Sequence, residues 1–200
     1  SFLHLSSFSN QQTFMNIGRV GTGKLDVTAG GKILMDPTAA NVSSASFNAF
    51  NIGGSGGGAP PVGVQNSNGT VNVSGAGSEI RQKGDFSTVG VGRNGTGVLN
   101  ITNGGQVVIE NLTGTTFSSI GRATGATGTA SVSGAGSLWQ VGNKLFIGTE
   151  LTSNATGGSE APGGGTGTLT VSNGGKVIAG SDVIIGAGGA ERIVEIDLNG

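Results

Sequence analysis

The sequence of 200 residues has no cysteine, little charge and few aromatic residues. Without cysteine it can form no disulfide, no thiolate nucleophile and no cysteine-ligated metal site. Charged residues make up only 10% of the chain, and the net charge of −1 provides no basic field to hold nucleic acid. No run reaches the roughly 18 apolar residues of a membrane-spanning helix. We therefore predict a protein that neither binds nucleic acid nor spans a membrane. The absence of an initial Met and of a signal-peptide pattern predicts a mature chain or an excised segment.

Glycine, by contrast, is abundant, with 42 residues in 200, and it follows a repeat. Each copy of the repeat is a short run in which apolar and polar residues alternate, followed by a small polar turn and glycine. The alternation predicts a strand with one buried face. One unit alone cannot bury that face, so the units must stack on one another. The five copies are Lys24–Gly31, Thr70–Gly77, Val98–Gly105, Thr129–Gly136 and Thr168–Gly175.

A second landmark, an aliphatic residue followed by glycine, recurs at intervals of 27 to 39 residues. Three short strands fit into each interval. The sequence thus predicts an all-β, right-handed parallel β-solenoid (β-helix) of about six coils with three short strands each. At about 4.8 Å per coil it would be about 30 Å long. Residues Val27, Val73, Ile101, Val132 and Val171 should then share one interior column. The landmarks are Ile17-Gly18, Ile52-Gly53, Val91-Gly92, Ile120-Gly121, Ile147-Gly148 and Ile185-Gly186.

The turns of the repeat are of two kinds, and they alternate along the chain. One kind contains Gly-Gly, as in Ser172–Gly175, and the other contains Gly-Ala-Gly, as in Ser133–Ser137. This alternation, with Gly165–Val177 and Gly128–Trp139 as the best matches, resembles the repeats of autotransporter passengers and of PEP-CTERM-associated proteins. The resemblance implies an exported β-helix on the bacterial outer surface or in the extracellular space. Ile80 departs from the pattern, since Trp is frequent at its position, as at Trp139.

The two ends of the chain are candidates for assembly. Residues 1–16 lack the repeat, and we expect them to form an N-terminal arm or cap, with 17–200 forming the solenoid. The last strand pattern has no cap, which predicts that copies of the chain stack head to tail, because unblunted strand edges invite pairing. The residues predicted to take part are Phe2, Leu3, Leu5, Phe8, Val194, Ile196 and Leu198.

Three arginines and three insertions are candidates for binding. Arg19, Arg93 and Arg122 each follow a landmark glycine and would share one edge, where they could contact an anionic glycan or remain solvated corner residues. Insertions in solenoids gather on one face, which is often the binding face, although neutral drift of exposed loops is the alternative. The insertions are Asp36–Ala49, Gly53–Asn68 and Thr149–Thr166.

No motif predicts catalysis, a cofactor or a metal. The segment Gly18–Lys24 nearly matches a phosphate-binding loop, but Leu25 stands where Ser or Thr should hold Mg²⁺, and a strand pattern follows. We therefore predict an extracellular, non-catalytic structural protein. It would act as a surface adhesin or passenger module, binding a surface glycan or protein receptor, or as a fibre subunit that stacks on its own copies. The remaining alternative is a β-helix protein that binds or cleaves glycans.

Overall fold

The computed structural model describes residues 1–7, 13–37, 48–54, 67–112, 115–151, 160–161, 164–186 and 194–199. The regular elements in this part of the chain are all strands, 20 in number. Eighteen of them form three parallel sheets of six strands each, and the other two, β15 (Glu150–Leu151) and β16 (Glu160–Ala161), form an antiparallel pair. The predicted parallel β-solenoid with three strands per coil is confirmed.

Each sheet takes one strand from each coil. Sheet A contains β1 (Phe2–Ser7), β4 (Lys32–Pro37), β7 (Glu79–Gln82), β10 (Gln106–Ile109), β13 (Leu138–Gln140) and β18 (Lys176–Ile178). Sheet B contains β2 (Thr13–Ile17), β5 (Asn48–Ile52), β8 (Ser87–Val91), β11 (Phe117–Ile120), β14 (Lys144–Ile147) and β19 (Val183–Ile185). Sheet C contains β3 (Gly21–Thr28), β6 (Ser67–Ser74), β9 (Thr96–Thr102), β12 (Thr127–Ser133), β17 (Thr166–Ser172) and β20 (Val194–Asn199).

The chain passes through sheets A, B and C in turn, so three successive strands make one coil. The first coil is β1, β2 and β3, and the sixth is β18, β19 and β20. The fifth coil contains β13, β14 and β17, because the pair β15–β16 interrupts it between sheets B and C. We call the edges where the chain turns from one sheet to the next the A–B, B–C and C–A corners.

The interior is built from columns of like apolar side chains. Ile101 lies in register with Val73 on one side and Val132 on the other, and the column continues to Val27 and Val171. Val73, Ile101 and Val132 have no solvent exposure. The predicted interior column is therefore confirmed. Since burying one such side chain stabilises the fold by about 1.5–3 kcal/mol, these columns supply the main driving force for stacking.

The first coil contains two strands, β1 and β2, that lie before the first copy of the repeat. Strand β1 pairs with β4, and β2 pairs with β5, both in parallel register. Residues 2–7 and 13–16 of the expected arm or cap are therefore paired strands of the ladder. Strand β1 was not identified from the repeat because no Gly-Gly or Gly-Ala-Gly turn precedes it, and β2 was marked only by the landmark Ile17-Gly18 at its end.

At the C–A corner the two kinds of turn fit one another. In the Gly-Gly turns, Ala29, Asn103 and Asn173 have positive φ angles of 51 to 53°. In the turns with Gly-Ala-Gly, a serine hydroxyl reaches across to the neighbouring coil. Ser78 Oγ accepts a hydrogen bond from Gly30 N at 3.1 Å, and Ser137 Oγ accepts one from Gly104 N at 3.0 Å. The alternation of turns in the sequence thus corresponds to hydrogen bonds between stacked turns.

The B–C corner explains the landmark glycines. Gly121 has a φ of +64°, and a Cβ atom there would lie 2.0 Å from the backbone oxygen of Thr166 in the next coil. Gly53 meets Thr96 O in the same way, also at 2.0 Å. No real Cβ contact is that short, so both the conformation and the close approach of backbones require glycine.

Candidate functional site

The B–C corner brings together the three predicted arginines and two of the three insertions. Arg19, Arg93 and Arg122 follow the landmark glycines of the first, third and fourth coils. Gly53–Asn68 leaves this corner in the second coil and Thr149–Thr166 in the fifth. The central residues of these two insertions, and of Asp36–Ala49 at the A–B corner, lie outside the described residues.

The three arginines differ in their surroundings, although they share one edge. Arg19 is exposed, and its backbone oxygen accepts a hydrogen bond from Ser67 Oγ at 2.6 Å. Arg93 is partly buried, and its Nη1 donates to Asn51 Oδ1 at 3.0 Å. Burial lowers the pKa of Arg93 to about 10, because desolvation disfavours the charged guanidinium.

Arg122 lies over an aromatic ring. Its guanidinium carbon is 5.7 Å from the centroid of the Phe117 ring, a cation–π distance. Arg93 and Arg122 are in adjacent coils, since Ala123 N donates to Arg93 O at 3.1 Å. Their side chains lie along sheet B, so of the three arginines Arg19 is the one exposed for contact with a ligand.

The outward side of sheet B holds an apolar cluster that the sequence analysis missed. The rings of Phe117 and Phe146 meet edge to face with centroids 5.9 Å apart, and Ile184 packs against them. Both phenylalanines are 1% exposed. The signal for this cluster was present in runs such as Lys144–Ile147, where apolar residues are continuous and do not alternate, a pattern of strands buried on both faces.

A second feature that the sequence did not predict is a polar interior at the A–B corner. Asn48 is 1% exposed, and its Nδ2 donates to Met35 O at 3.0 Å and to Lys83 O at 3.1 Å. Gln82, also 1% exposed, donates through Nε2 to Asn48 O at 3.0 Å. These side chains satisfy backbone carbonyls where the chain turns from sheet A to sheet B.

The predicted assembly residues lie in the first and last coils. Phe2 and Leu3 are 64% and 45% exposed, whereas Leu5 is partly buried against the core. An open groove of about 370 Å³ lies at the first coil, lined by Leu3, Leu25, Val27 and other residues of this coil and the next. Phe8 lies outside the described residues. Three further candidates occupy β20, in register with Gly167, Leu169 and Val171, and only their backbone is described: Val194, Ile196 and Leu198.

On sheet A two acidic side chains form ion pairs with the same basic side chain. Arg81 bonds to Glu79 and, at 2.9 Å, to Glu110, on the outward side of sheet A. Within the described ranges no three His, Asp or Glu side chains are grouped as a metal site requires. In the same part of the chain no helix is long and apolar enough to cross a membrane.

Sequence comparison finds an autotransporter adhesin among similar sequences. A curated adhesin, the BmaC autotransporter of Brucella suis biovar 1 (strain 1330), is 32% identical over 117 residues. The match covers 58% of this chain but 3% of the adhesin. No family model matches the chain, and no solved structure matches it either. The chain is thus similar to a small part of an autotransporter adhesin.

Proposed function

We propose that this chain is a non-catalytic surface adhesin module, a passenger segment of the autotransporter type that presents its B–C corner to a target. The observation that supports this proposal most is the similarity of the chain to an autotransporter adhesin. The continuous ladder of parallel strands is consistent with such a module. A solenoid holds insertions from different coils on one edge, where repeated weak contacts add up.

The exposed Arg19 and the two insertions of the B–C corner are the proposed contacts. An anionic glycan is the proposed ligand, because a guanidinium binds carboxylate and sulfate groups through charge-assisted hydrogen bonds. The test is binding of the purified chain to an array of acidic and neutral glycans, at low and high salt. We expect salt-sensitive binding that Arg19→Glu weakens. Shortening the insertions Gly53–Asn68 and Thr149–Thr166 should weaken it as well.

A matched control comes from the opposite side of the molecule. Lys176 is exposed on sheet A, so Lys176→Glu makes the same change of charge away from the B–C corner. Equal loss of binding in Arg19→Glu and Lys176→Glu would point to net charge and count against the B–C corner. Release of reducing sugars from any acidic polysaccharide would instead favour the glycan-cleaving alternative.

A second candidate function is end-to-end assembly into a fibre. The large apolar side chains that are exposed in the described residues all belong to the first and last coils, and they are Phe2, Leu3, Phe14, Val20, Val183 and Ile185. If the last coil of one copy paired with the first coil of another, the interior columns would continue across the junction.

Negative-stain microscopy at high concentration tests this assembly. Filaments are expected, and the double variant Phe2→Asp, Phe14→Asp should abolish them. Thr96→Asp, an exposed change in a middle coil, should not. Single short rods from the unaltered chain would reject the fibre.

A further inference from the structure

The outward face of sheet C is a regular array of uncharged polar side chains. In the second, third, fourth and fifth coils this face has 16 outward positions. Twelve of them are Ser or Thr, three are Asn and one is Val98. Parallel pairing aligns these positions in four columns. The columns are Asn68, Thr96, Thr127 and Thr166; Thr70, Val98, Thr129 and Thr168; Asn72, Asn100, Ser131 and Thr170; and Ser74, Thr102, Ser133 and Ser172.

Composition alone does not explain this neutrality. The outward face of sheet A, in the second and third of these coils, carries Lys32, Glu79 and Arg81. Exposed strand positions tolerate many polar residues, and charged ones are common there. Sheet C instead keeps short hydroxyl side chains through four successive coils.

Two of the four columns are used internally. Asn100 Nδ2 donates to Asn72 Oδ1 at 2.8 Å, and Thr102 Oγ1 donates to Ser74 Oγ at 3.0 Å. Ser172 Oγ donates to Ser133 Oγ at 3.1 Å. These ladders of hydrogen bonds link neighbouring coils and have a structural role.

The other two columns consist of six threonines with Asn68 and Val98, and these residues are exposed or partly exposed. Six threonine hydroxyls there make no hydrogen bond within the described part of the chain. The backbone positions of these threonines repeat about 4.8 Å from strand to strand and about 6.6 Å along a strand, two residues apart. Threonine is β-branched and stiff at χ1, so the backbone lattice fixes these groups in place. They are Thr70, Thr96, Thr127, Thr129, Thr166 and Thr168.

The absence of charged and aromatic side chains from the described outward positions of coils two to five limits the ligands that this face can bind. A charged ligand gains nothing from it, since coils two to five present no charge there. A sugar would exchange hydrogen bonds to water for equivalent ones, each worth only about 0.5–1.5 kcal/mol net, and the described face has no aromatic ring on which to stack. Water itself needs no such exchange. A rigid array can hold its own hydration layer in a lattice, and the layer can join a crystal of water without loss of hydrogen bonds.

We infer that the outward face of sheet C orders water and binds the surface of ice. The threonine pairs of adjacent coils, Thr127 with Thr129 and Thr166 with Thr168, form the centre of the binding face. This face borders the B–C corner at Thr166, and the inference does not require a glycan bound there.

The test is the effect of the purified chain on ice growth, measured as crystal shape in a nanolitre osmometer and as inhibition of recrystallisation. The unaltered chain should produce faceted crystals and suppress recrystallisation. The double variant Thr129→Tyr, Thr168→Tyr should lose both effects, since two bulky rings displace the water layer.

Gln106→Tyr is the matched control, because it places the same ring on the outward face of sheet A. Circular dichroism at 0 °C and thermal melting confirm that the variants remain folded. The inference is overturned if the unaltered chain leaves ice unchanged, or if Gln106→Tyr abolishes the effect as fully as the double variant does. Sheet C-dependent sedimentation with insoluble cellulose or chitin, without any effect on ice, would also overturn it and identify a polysaccharide face.

Discussion

Ser137 Oγ lies 3.0 Å from the backbone nitrogen of Gly104, one coil away, and accepts its hydrogen bond. The same hydroxyl donates to Ser133 O at 2.7 Å. One buried side chain therefore closes its own turn and joins it to the turn of the preceding coil.

Replacing this serine should weaken the stack. Ser137→Ala leaves Gly104 N without its partner, and we expect a loss of about 1–3 kcal/mol in the free energy of unfolding. Urea denaturation measures it. Ser131→Ala, in the same coil but on the outward face of sheet C, should cost far less. A Ser137→Ala variant as stable as Ser131→Ala would mean that the stacked turns do not depend on this contact.

The landmark glycines should tolerate no side chain. Gly121→Ala adds the cost of a positive φ, about 1–2 kcal/mol, to a collision with Thr166 O that forces a backbone shift, about 1–3 kcal/mol more. Gly125 has a similar φ of +78°, but a Cβ atom added there would have nothing within 4 Å. Gly125→Ala therefore isolates the conformational cost. Thermal melting should place Gly121→Ala well below Gly125→Ala, and equal melting temperatures would contradict the close approach of the two backbones.

The interior column should dominate stability. Ile101→Ala creates a cavity between Val73 and Val132, and we expect a loss of about 2–5 kcal/mol in the free energy of unfolding. Asn100, the preceding residue, faces outward, and Asn100→Ala should cost under about 1 kcal/mol even though it breaks a bond to Asn72. Chemical denaturation of the two variants measures the contrast. Similar losses would mean that the register of β9 is wrong by one residue, since such a shift exchanges the two faces.

Arg122 should affect stability more than glycan binding. Arg122→Gln removes the charge above the Phe117 ring, and the expected loss is about 0.5–2 kcal/mol in the free energy of unfolding. Arg122→Lys should restore part of it. Binding to acidic glycans, measured in parallel, should change less than in Arg19→Glu. Strong loss of glycan binding in Arg122→Gln without any loss of stability would instead place Arg122 among the ligand contacts.

The carboxyl group of Asp26 should titrate abnormally. A hydrogen bond from Asn72, and to a smaller extent one from Lys24, holds the pKa of this carboxyl group below the ordinary value of 3.8. A lowered pKa stabilises the fold above the ordinary value, and that stabilisation disappears as the pH falls through the lowered pKa. Asn72→Ala should move the pKa of Asp26 up toward 3.8, as followed by NMR of the carboxyl carbon. Asn100→Ala, one coil further on, should move it less, and an unchanged pKa in Asn72→Ala would remove Asn72 as the cause.

The first coil shows where sequence reasoning reached its limit. Strand β1 carries Leu3 and Leu5 at alternate positions, but no glycine turn precedes it as one precedes the other strands of sheet A, so the repeat pattern did not identify it as part of the ladder. The pairing of Leu3 with Ile33 became visible only when the strands were stacked. Similarly, the common position of the three arginines predicted a shared edge, but only their neighbours distinguish the exposed Arg19 from Arg93 and Arg122.

The sequence by itself determined the parallel solenoid, its six coils and its interior columns, because apolar alternation and glycine corners recur at a fixed place in every repeat. Tertiary structure alone decided which outward positions are wet, since burial depends on what packs over a strand and not on the strand's own residues. For that reason the continuous apolar runs of sheet B became a second buried cluster around Phe117 and Phe146, while the threonines of sheet C remained open to water.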